Sequence, residues 1–273
     1  MKPRLLAHAL LCAASLVMLY PLLWMLASSF RSNADIFSSM SLIPAHPDPS
    51  AYPRGWHGLQ VSFGKFFVNS LVISVLAVVG NLLSCSLAAY AVSRLRFPGR
   101  DLCFAIMLGT MMIPYQVTLI PQYILFLNLD WVNTILPLVV PKFLAVDAFF
   151  IFLLTQFFRG IPRELDEAAV MDGCTPWRIY WNIILPLSLP ALGTTAVFTF
   201  IFTWDDFFGP LVYLTDVDNF TVQLGLRGFL DAGGTSDWGA MFAMAVLTLL
   251  PVLGFFLFFQ RSLIQGIATT GLK

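Results

Sequence analysis

Charged side chains are scarce in this chain: of its 273 residues only 11% are Asp, Glu, Lys or Arg, whereas 58% are hydrophobic. Typical soluble domains carry about 25% charged residues. The formal net charge is +0 at pH 7, so the sequence lacks the excess of basic residues that favours nucleic-acid binding. With a mean hydropathy of +0.81, the composition predicts an integral membrane protein in contact with lipid.

The sequence also lacks the motifs of enzyme chemistry. It contains no Gly-x-x-x-x-Gly-Lys-Ser/Thr phosphate-binding loop, and its only Gly-Lys pair, Gly64-Lys65, is followed by Phe66. No cluster of His, Cys and carboxylate residues has the spacing of a metal site, and no Ser/His/Asp arrangement indicates hydrolysis. We therefore expect no catalytic residue, metal or cofactor in this chain. Any energy from ATP must come from a partner.

Long apolar stretches dominate what is present. A transmembrane helix needs about 20 largely apolar residues. Six stretches of that kind lie at roughly 5–29, 67–93, 102–126, 134–158, 184–206 and 239–260. The first is longer than the apolar core of a signal peptide, so we expect it to be a retained span. The sequence thus predicts an all-α polytopic membrane protein with one transmembrane domain over residues 1–273.

The distribution of Lys and Arg predicts the orientation of the spans, because cytoplasmic loops are enriched in both residues. With the N-terminus inside, ten of them fall on the cytoplasmic side and four outside. Both termini are then cytoplasmic, as is the connection 159–183 between spans four and five. The outer loop at 207–238 is acidic and rich in glycine; it either reaches toward a soluble partner or is a simple connector.

The polar segment 162–186 has the signals of a helix, a turn and a second helix. Pro162 fits a first helical turn, where its missing N–H is not needed, and Gly173 fits a left-handed helix end. Thr175 and Pro176 fit the cap and first position of a following helix. One face of the first helix carries Leu165, Ala168, Ala169 and Asp172. Exposed alanines would let another protein approach closely, so we interpret the segment as a docking element.

Within this segment lies a longer pattern: Glu-Ala-Ala, three residues, Gly, nine residues, Ile, one residue and Leu-Pro. Its fixed positions are Glu167, Ala168, Ala169, Gly173, Ile183, Leu185 and Pro186. The pattern resembles, without departure, the signature loop of the inner-membrane permease subunits of binding-protein-dependent ABC importers. Shorter similarities at 97–99, 161–165, 202–207 and 259–266 resemble the carbohydrate-uptake group, especially the second permease of the maltose-transporter type. The tail at 268–273 departs from the usual family ending.

The resemblance implies a type I ABC importer permease fold in the cytoplasmic membrane of a bacterium or archaeon. It implies an assembly with a second homologous permease, two subunits that bind ATP and Mg²⁺, and an extracytoplasmic solute-binding protein. The loop 162–186, with Asp172 beside the fixed positions of the pattern, would couple ATP hydrolysis to translocation. The implied solute is a sugar or a sugar-like compound, which leaves mono-, di- and oligosaccharides and sugar or glycerol phosphates open.

Polar residues at membrane depth are candidates for a translocation path, because charge there is costly and usually faces a cavity. Rings together with amide and carboxylate acceptors suit a polyhydroxylated ligand. The candidates are Tyr115, Gln116, Gln122, Lys142, Asp147, Trp204, Asp205 and Asp206. A separation of five residues does not place Lys142 and Asp147 on one helix face, so pairing with neighbouring helices stays open for both. Trp204 fits a membrane-interface anchor better than a ligand contact.

Two other functional classes compete with the importer interpretation. An ion-coupled secondary transporter would use Lys142 and Asp147 as a relay and would work without an ATPase. A membrane enzyme is disfavoured because the sequence lacks a catalytic constellation. Neither alternative explains the pattern in segment 162–186.

Overall fold

The computed structural model describes residues 3–38, 40–44, 46–230 and 236–270, and these residues form helices, turns and irregular segments without a strand. Two 3₁₀ turns lie at Val140–Leu144 and Val217–Asn219, and a π turn lies at Tyr180–Ile184. The α-helices are α1 (Pro3–Ser28), α2 (Asn33–Ile36), α3 (Ala51–His57), α4 (Phe63–Arg94), α5 (Arg100–Thr110), α6 (Tyr115–Asn128), α7 (Leu136–Val139), α8 (Ala148–Gly160), α9 (Glu164–Met171), α10 (Pro176–Ile179), α11 (Leu185–Leu187), α12 (Leu189–Trp204), α13 (Phe208–Tyr213), α14 (Val222–Arg227) and α15 (Trp238–Thr270).

Four helical segments in the described part of the chain are long and apolar enough to cross a membrane: Ala7–Ser28, Phe63–Arg94, Leu136–Gly160 and Trp238–Gln260. Two helix pairs reach that length together but are bent, α5 with α6 by 101° and Pro176–Leu187 with α12 by 77°. If each bent pair is one span, the total is six. The predicted all-α polytopic membrane fold is confirmed.

Proline explains where the third span bends. Pro114 precedes α6 with extended backbone angles (φ −60°, ψ 134°), and a proline has no N–H with which to continue the hydrogen bonds of α5. Pro121 lies inside α6. The two halves of the span therefore point in different directions. The backbone between them is not helical, and a membrane protein tolerates such backbone only where it is buried in protein or lines a cavity.

The chain packs as two compact units. The first comprises residues 1–68 and 220–251, and the second comprises residues 69–219 and 252–273. In the first unit, Phe63 packs edge-on against Phe66 with ring centroids 5.7 Å apart. Gly225 permits this packing because a Cβ at that position would collide with the Phe66 ring. Arg54 and Asp237 form an ion pair of 3.2 Å in the same unit.

The second unit contains the segments that the sequence singles out. Its core joins α4, α8, α9 and the helices that follow α9. Buried residues of this core are Cys85, Ala89, Tyr90, Phe150, Ile151, Leu154, Phe158, Ile161, Ala169, Ile179, Tyr180, Ile184 and Ala191. The polar segment 162–186 therefore packs against the apolar helices of its own chain instead of extending as a free loop.

Candidate coupling segment and cavity

The segment 162–186 folds as the helix α9, a tight turn and the short helix α10. Gly173 has φ +78°, and the backbone N–H of Cys174 donates to the carbonyl of Ala169 at 2.9 Å, so the helix ends in the left-handed glycine conformation that the sequence predicts. Thr175 caps α10: its side chain accepts from the N–H of Arg178, and Pro176 follows at the start of the helix. These local predictions are confirmed.

One local prediction is wrong. Pro162 does not lie in the first turn of α9, because the helix begins at Glu164 and its N-cap is Arg163. Ile161 is extended instead, with φ −76° and ψ 132°. A residue before a proline avoids the α region because the proline ring contacts its backbone. Pro162 thus separates α8 from α9, and the acidic residues of the first turn begin two positions after it.

The faces of α9 differ from the sequence interpretation. Ala169 is only 6% exposed and packs in the core, so it does not offer a surface to a partner. Ala168, Glu167, Asp172 and Gly173 are exposed. The residue spacing predicted a shared face of α9, but it could not show which side of that face would be buried in the core that also contains Ile179 and Tyr180. The surface free to contact another protein is therefore centred on Glu167 and Ala168.

The later positions of the pattern have a different environment. Ile183 and Leu185 are half-buried beside the core, whereas Pro186 is exposed. They belong to the π turn and α11, where the chain changes from the short α10 to the long α12. A π turn has an extra residue relative to an α-helical turn. These three residues thus shape the connection to α12 and lie apart from the exposed face of α9.

A buried arginine that the sequence analysis did not single out holds α9 against the membrane helices. Arg94, the last residue of α4, donates from Nη1 to Asp166 Oδ2 at 2.9 Å and from Nη2 to the carbonyl of Ile161 at 2.7 Å. Nη2 also donates to the carbonyl of Phe158. We call Arg94, Asp166 and these two carbonyl groups the Arg94 junction. The sequence feature that could have indicated this junction is a basic residue at the end of an apolar span.

The same face of α4 contacts the rest of the segment. Ser86 and Tyr180 share a hydrogen bond of 2.7 Å between their hydroxyl groups. Tyr90 donates to the carbonyl of Pro176 at 2.8 Å, and its ring lies 5.2 Å from that of Tyr180. Ser86, Tyr90 and Arg94 are four residues apart, which places them on one helix face; we call them the α4 stripe. This stripe contacts α9, α10 and the π turn.

A cavity of about 710 Å³ opens in the second unit between α6, the broken span at 136–160 and the end of α12. Its wall contains five of the residues that the sequence proposed for a translocation path. These are Tyr115, Gln122, Lys142, Asp147 and Asp206. Tyr213 also lines it, and the Tyr213 hydroxyl donates to Gln122 Oε1 at 3.4 Å. The structure thus brings together aromatic, amide and charged groups in a space large enough for a small solute.

Three of the proposed path residues lie outside this cavity. Gln116 and Asp205 are exposed elsewhere on the second unit. Trp204 is only 1% exposed, and its ring stacks on Phe200 with centroids 5.6 Å apart. A tryptophan buried in this way does not present its ring to a membrane interface, so the interpretation of Trp204 as an anchor does not fit its position either.

Lys142 and Asp147 pair with each other, which the five-residue spacing did not predict. Lys142 Nζ lies 2.8 Å from Asp147 Oδ2. The span is broken here: Lys142 lies in the 3₁₀ turn Val140–Leu144, and Ala145 has φ +54°. The expectation assumed a continuous α-helix, whose geometry separates such residues. The left-handed residue turns the chain back, so both charges reach the cavity wall.

A second helix completes this ion pair. Asn81 of α4 is fully buried, and its side-chain amide donates to Asp147 Oδ2 at 2.5 Å and to Thr199 Oγ1 at 3.1 Å. Ser84 donates to the backbone carbonyl of Lys142 at 2.7 Å. Buried polar groups need such partners because their desolvation is otherwise costly. Asp147 and the backbone at Lys142 are thus hydrogen-bonded to α4, and Asn81 also connects them to α12 through Thr199.

Apolar helices, a cavity whose largely apolar wall also carries polar and charged side chains, and an anchored polar segment indicate a polytopic membrane transport protein. The family described as "Binding-protein-dependent transport system inner membrane component" matches residues 80–268. The chain belongs to this family of multi-pass cytoplasmic-membrane proteins, whose members are the permease components of ABC importers and lack the ATPase site. Such a component works with ATPase and binding-protein partners.

Individual relatives agree with this membership. The chain is similar to the diacetylchitobiose uptake system permease protein NgcG of Streptomyces coelicolor, with 32% identity over 96% of this chain and 86% of the relative. It is also similar to the trehalose/maltose transport system permease protein MalG of Thermococcus litoralis, with 32% identity over 100% of this chain and 99% of the relative. These comparisons give no support to an ion-coupled secondary transporter.

A solved structure has the same fold. It is the crystal structure of a bacterial ABC transporter involved in the import of the acidic polysaccharide alginate, and one of its chains superposes with a TM-score of 0.81 at 26% identity. The match covers 94% of this chain and 95% of the other. The helical arrangement described above is therefore that of an ABC importer permease.

Proposed function

We propose that this permease carries a sugar or a sugar-like solute, delivered by an extracytoplasmic binding protein, across the cytoplasmic membrane. The trehalose/maltose and diacetylchitobiose names of its relatives support a carbohydrate. The observation that carries the coupling part of the proposal is the geometry of α9, which is anchored on one face and exposed on the other. An ATPase that contacts the exposed face can move a helix that is joined to the membrane spans.

The assembly in this proposal contains a second homologous permease, two ATPase subunits that bind ATP and Mg²⁺, and the binding protein. The excess of Lys and Arg in the connections expected inside supports cytoplasmic termini and a cytoplasmic α9. The proposed contact of loop 207–238 with the binding protein is supported by its acidic composition. Five of its residues, 231–235, lie outside the described residues, among them Asp231, Gly233 and Gly234, as does Lys273 at the C-terminus.

The exposed face of α9 is the proposed ATPase contact. Glu167 presents a carboxylate to a basic residue of the partner, and Ala168 next to it leaves room for close approach. Asp172 and Gly173 extend this surface to the end of the helix, while Ala169 holds the helix from inside. ATP binding can shift the permease between its two states only if the partner contacts them differently. A rigid contact at Glu167 meets that requirement.

The cavity is the proposed route of the solute past this chain. Lys142 pairs with Asp147 at 2.8 Å, while the carboxyl group of Asp206 accepts a hydrogen bond from the Gly209 N–H at 3.1 Å and forms no ion pair among the described residues. Such a wall offers acceptors to the hydroxyl donors of a solute, and its lysine is already paired with a carboxylate instead of being available to an anion. Tyr115 and Tyr213 offer ring faces to the C–H faces of a sugar. These features favour a neutral polyhydroxylated solute over a sugar or glycerol phosphate.

The coupling proposal is tested by charge reversal on the exposed face of α9. In a complex reconstituted with its ATPase and second permease, we expect Glu167→Lys to lower ATPase retention or solute-dependent ATP hydrolysis by about tenfold, the scale of a typical coupling energy. Glu164→Lys is the matched control, because Glu164 is also an exposed acidic residue of the first turn. If both variants retain wild-type retention and hydrolysis, α9 does not couple this permease to ATP.

The solute proposal needs its own experiment. A solute-binding protein that assembles with this permease is screened for binding of maltose, trehalose, diacetylchitobiose, longer oligosaccharides and sn-glycerol 3-phosphate, and the strongest ligand is then used for uptake into proteoliposomes. We expect a neutral saccharide to bind and to be taken up. Selective binding and uptake of the phosphate would overturn the proposed solute class without affecting the coupling proposal.

A further inference from the structure

The Arg94 junction joins three helix ends at one point. Arg94 ends α4, the carbonyls of Phe158 and Ile161 lie at the end of α8, and Asp166 lies in the first turn of α9. The Arg94 side chain is 3% exposed and that of Asp166 is 22% exposed. We propose that Arg94 and Asp166 are positioning residues that transmit displacement of α9 to α4 and α8 during the transport cycle.

The charges at this point match the dipoles of all three helices. The C-terminal end of a helix is partially negative and its N-terminal end is partially positive. Arg94 is positive at the C-terminal ends of α4 and α8, where the last carbonyl groups lack partners within the helix. Asp166 is negative at the N-terminal end of α9. One ion pair therefore stabilises three helix ends, and a displacement of α9 changes the electrostatic energy of the other two.

The connection is strong but not fully rigid. Arg94 and Asp166 share one bond of 2.9 Å and not the two parallel bonds of a forked pair. Arg94 Nε and Asp166 Oδ1 are buried and have no hydrogen-bond partner in the described part of the chain. A single bond permits α9 to change its angle while it stays attached. Ala169, one turn further along α9, packs in the core and limits that change to a rotation about the junction.

The other members of the α4 stripe support the same transmission. Tyr90 and Ser86 contact the carbonyl of Pro176 and the hydroxyl of Tyr180, so α10 follows the same face of α4. Arg94 differs from them because it alone brings a buried charge. Loss of its carboxylate partner leaves that charge with only the carbonyl groups, which weakens the attachment of α9 more than loss of a neutral bond. This inference rests on the proposed role of α9 as the ATPase contact.

The test separates transmission from assembly. In the reconstituted complex, the native cysteines are replaced by alanine and Thr118, which lines the cavity, is replaced by cysteine. Labelling by a membrane-impermeant maleimide is measured with and without ATP and vanadate. We expect Asp166→Asn to keep the ATPase bound and its basal hydrolysis within about twofold, but to reduce the nucleotide-driven change in labelling by about tenfold. Asp166→Glu should restore most of the change, because it keeps the carboxylate.

Matched variants give the controls. Asp101→Asn removes a carboxylate from an ion pair of the same length, 2.9 Å, at an exposed position beside Arg100, and we expect it to behave as the wild type. A labelling response to nucleotide that persists in Asp166→Asn would refute the inference. Equal losses of bound ATPase, hydrolysis and labelling would also refute it, since they indicate a structural role alone.

The same assay distinguishes this inference from the proposal on which it rests. If Glu167→Lys abolishes the labelling response and Asp166→Asn leaves it intact, the coupling proposal stands and the Arg94 junction is not its transmitter. If the unmodified complex shows no nucleotide-driven change and Glu167→Lys has no effect on hydrolysis, the coupling proposal itself fails, and the inference fails with it.

Discussion

Replacement of Lys142 by methionine is the most direct test of the cavity wall. Methionine keeps much of the length of lysine but removes the charge that lies 2.8 Å from Asp147. Among the described residues, the amide of Asn81 is then the one side chain that still donates a hydrogen bond to Asp147, at 2.5 Å. An ionised carboxylate with fewer partners is destabilising in an apolar surrounding. We therefore expect Lys142→Met to lower the stability of the protein.

The magnitude follows from the exposure of the pair. Breaking a fully buried ion pair costs about 3–5 kcal/mol, whereas exposed pairs contribute about 0–1 kcal/mol. The Lys142 and Asp147 side chains are 28% and 25% exposed, because they lie in the wall of the cavity. We therefore expect Lys142→Met to lower the free energy of unfolding by about 2 kcal/mol, between these two limits. At about 2–4 °C per kcal/mol for proteins approaching this size, the Tm should fall by about 4–8 °C.

The assay is thermal unfolding of the purified protein in one detergent at one heating rate. The double variant Lys142→Met with Asp147→Asn should recover more than half of the lost Tm, because no charge is then left without its partner. Lys65→Met is the control, since Lys65 is exposed at the start of α4, and should change the stability by no more than about 0.5 kcal/mol. An equal effect of Lys142→Met and Lys65→Met, or a double variant less stable than Lys142→Met, would refute the reasoning.

Three further predictions concern single positions. Gly173→Ala and Gly99→Ala should each lower stability by about 1 kcal/mol, because their φ values of +78° and +81° are unfavourable for alanine although a Cβ would meet nothing within 4 Å. Thermal unfolding should show similar Tm losses for both variants, and a neutral effect at either position would contradict this prediction. Gly80→Ala should lower the Tm by about 2–6 °C, since the new Cβ would lie 2.7 Å from the Phe143 ring. Gly109→Ala has open space around the new Cβ and should raise the Tm slightly. A higher Tm for Gly80→Ala than for Gly109→Ala would exclude steric crowding at Gly80. Asp237 lies outside the spans, and although partial burial raises its pKa, hydrogen bonds from the Ala240 N–H and its arginine partner outweigh this effect and lower the pKa below 3.8. Its stabilisation is therefore present at neutral pH and lost as the pH falls below about 4, and Asp237→Asn should flatten the loss of Tm on acidification; an unchanged acid profile would count against this ion pair.

The sequence predicts the turn between α9 and α10 well, although it misplaces Pro162 relative to the start of α9. Gly173 and Thr175 have the conformations expected from their residue types, because a left-handed helix end and an N-cap depend on one or two residues. Apolar length likewise predicts the membrane spans. The burial of Ala169 could not be predicted in the same way. Its burial results from tertiary packing, in a core that also contains Tyr180 and Ile179 from later in the chain.

The Lys142–Asp147 pair shows where helical spacing misleads. The spacing argument presumed an unbroken span, but a 3₁₀ turn and the left-handed Ala145 break it. Alanine is not a residue type that predicts such a conformation, but Pro141 at the start of the 3₁₀ turn is a sequence signal of a broken helix that the spacing argument did not use. The α4 stripe also left a signal: Ser86, Tyr90 and Arg94 are polar positions at four-residue intervals in an apolar helix. The orientation of the spans and the roles of the coupling residues stay predictions.

The spacing of the α4 stripe restricts how this protein can be altered or recombined. Each residue added to an α-helix rotates everything beyond it by about 100°. One residue inserted between Ser86 and Tyr90 would therefore turn Tyr90 and Arg94 away from Pro176 and Asp166 together, even though no contacting side chain had been changed. Chimaeric permeases that exchange the second span must consequently preserve the count of residues from Ser86 to Arg94, whereas substitutions on the opposite side of α4 are free of that constraint.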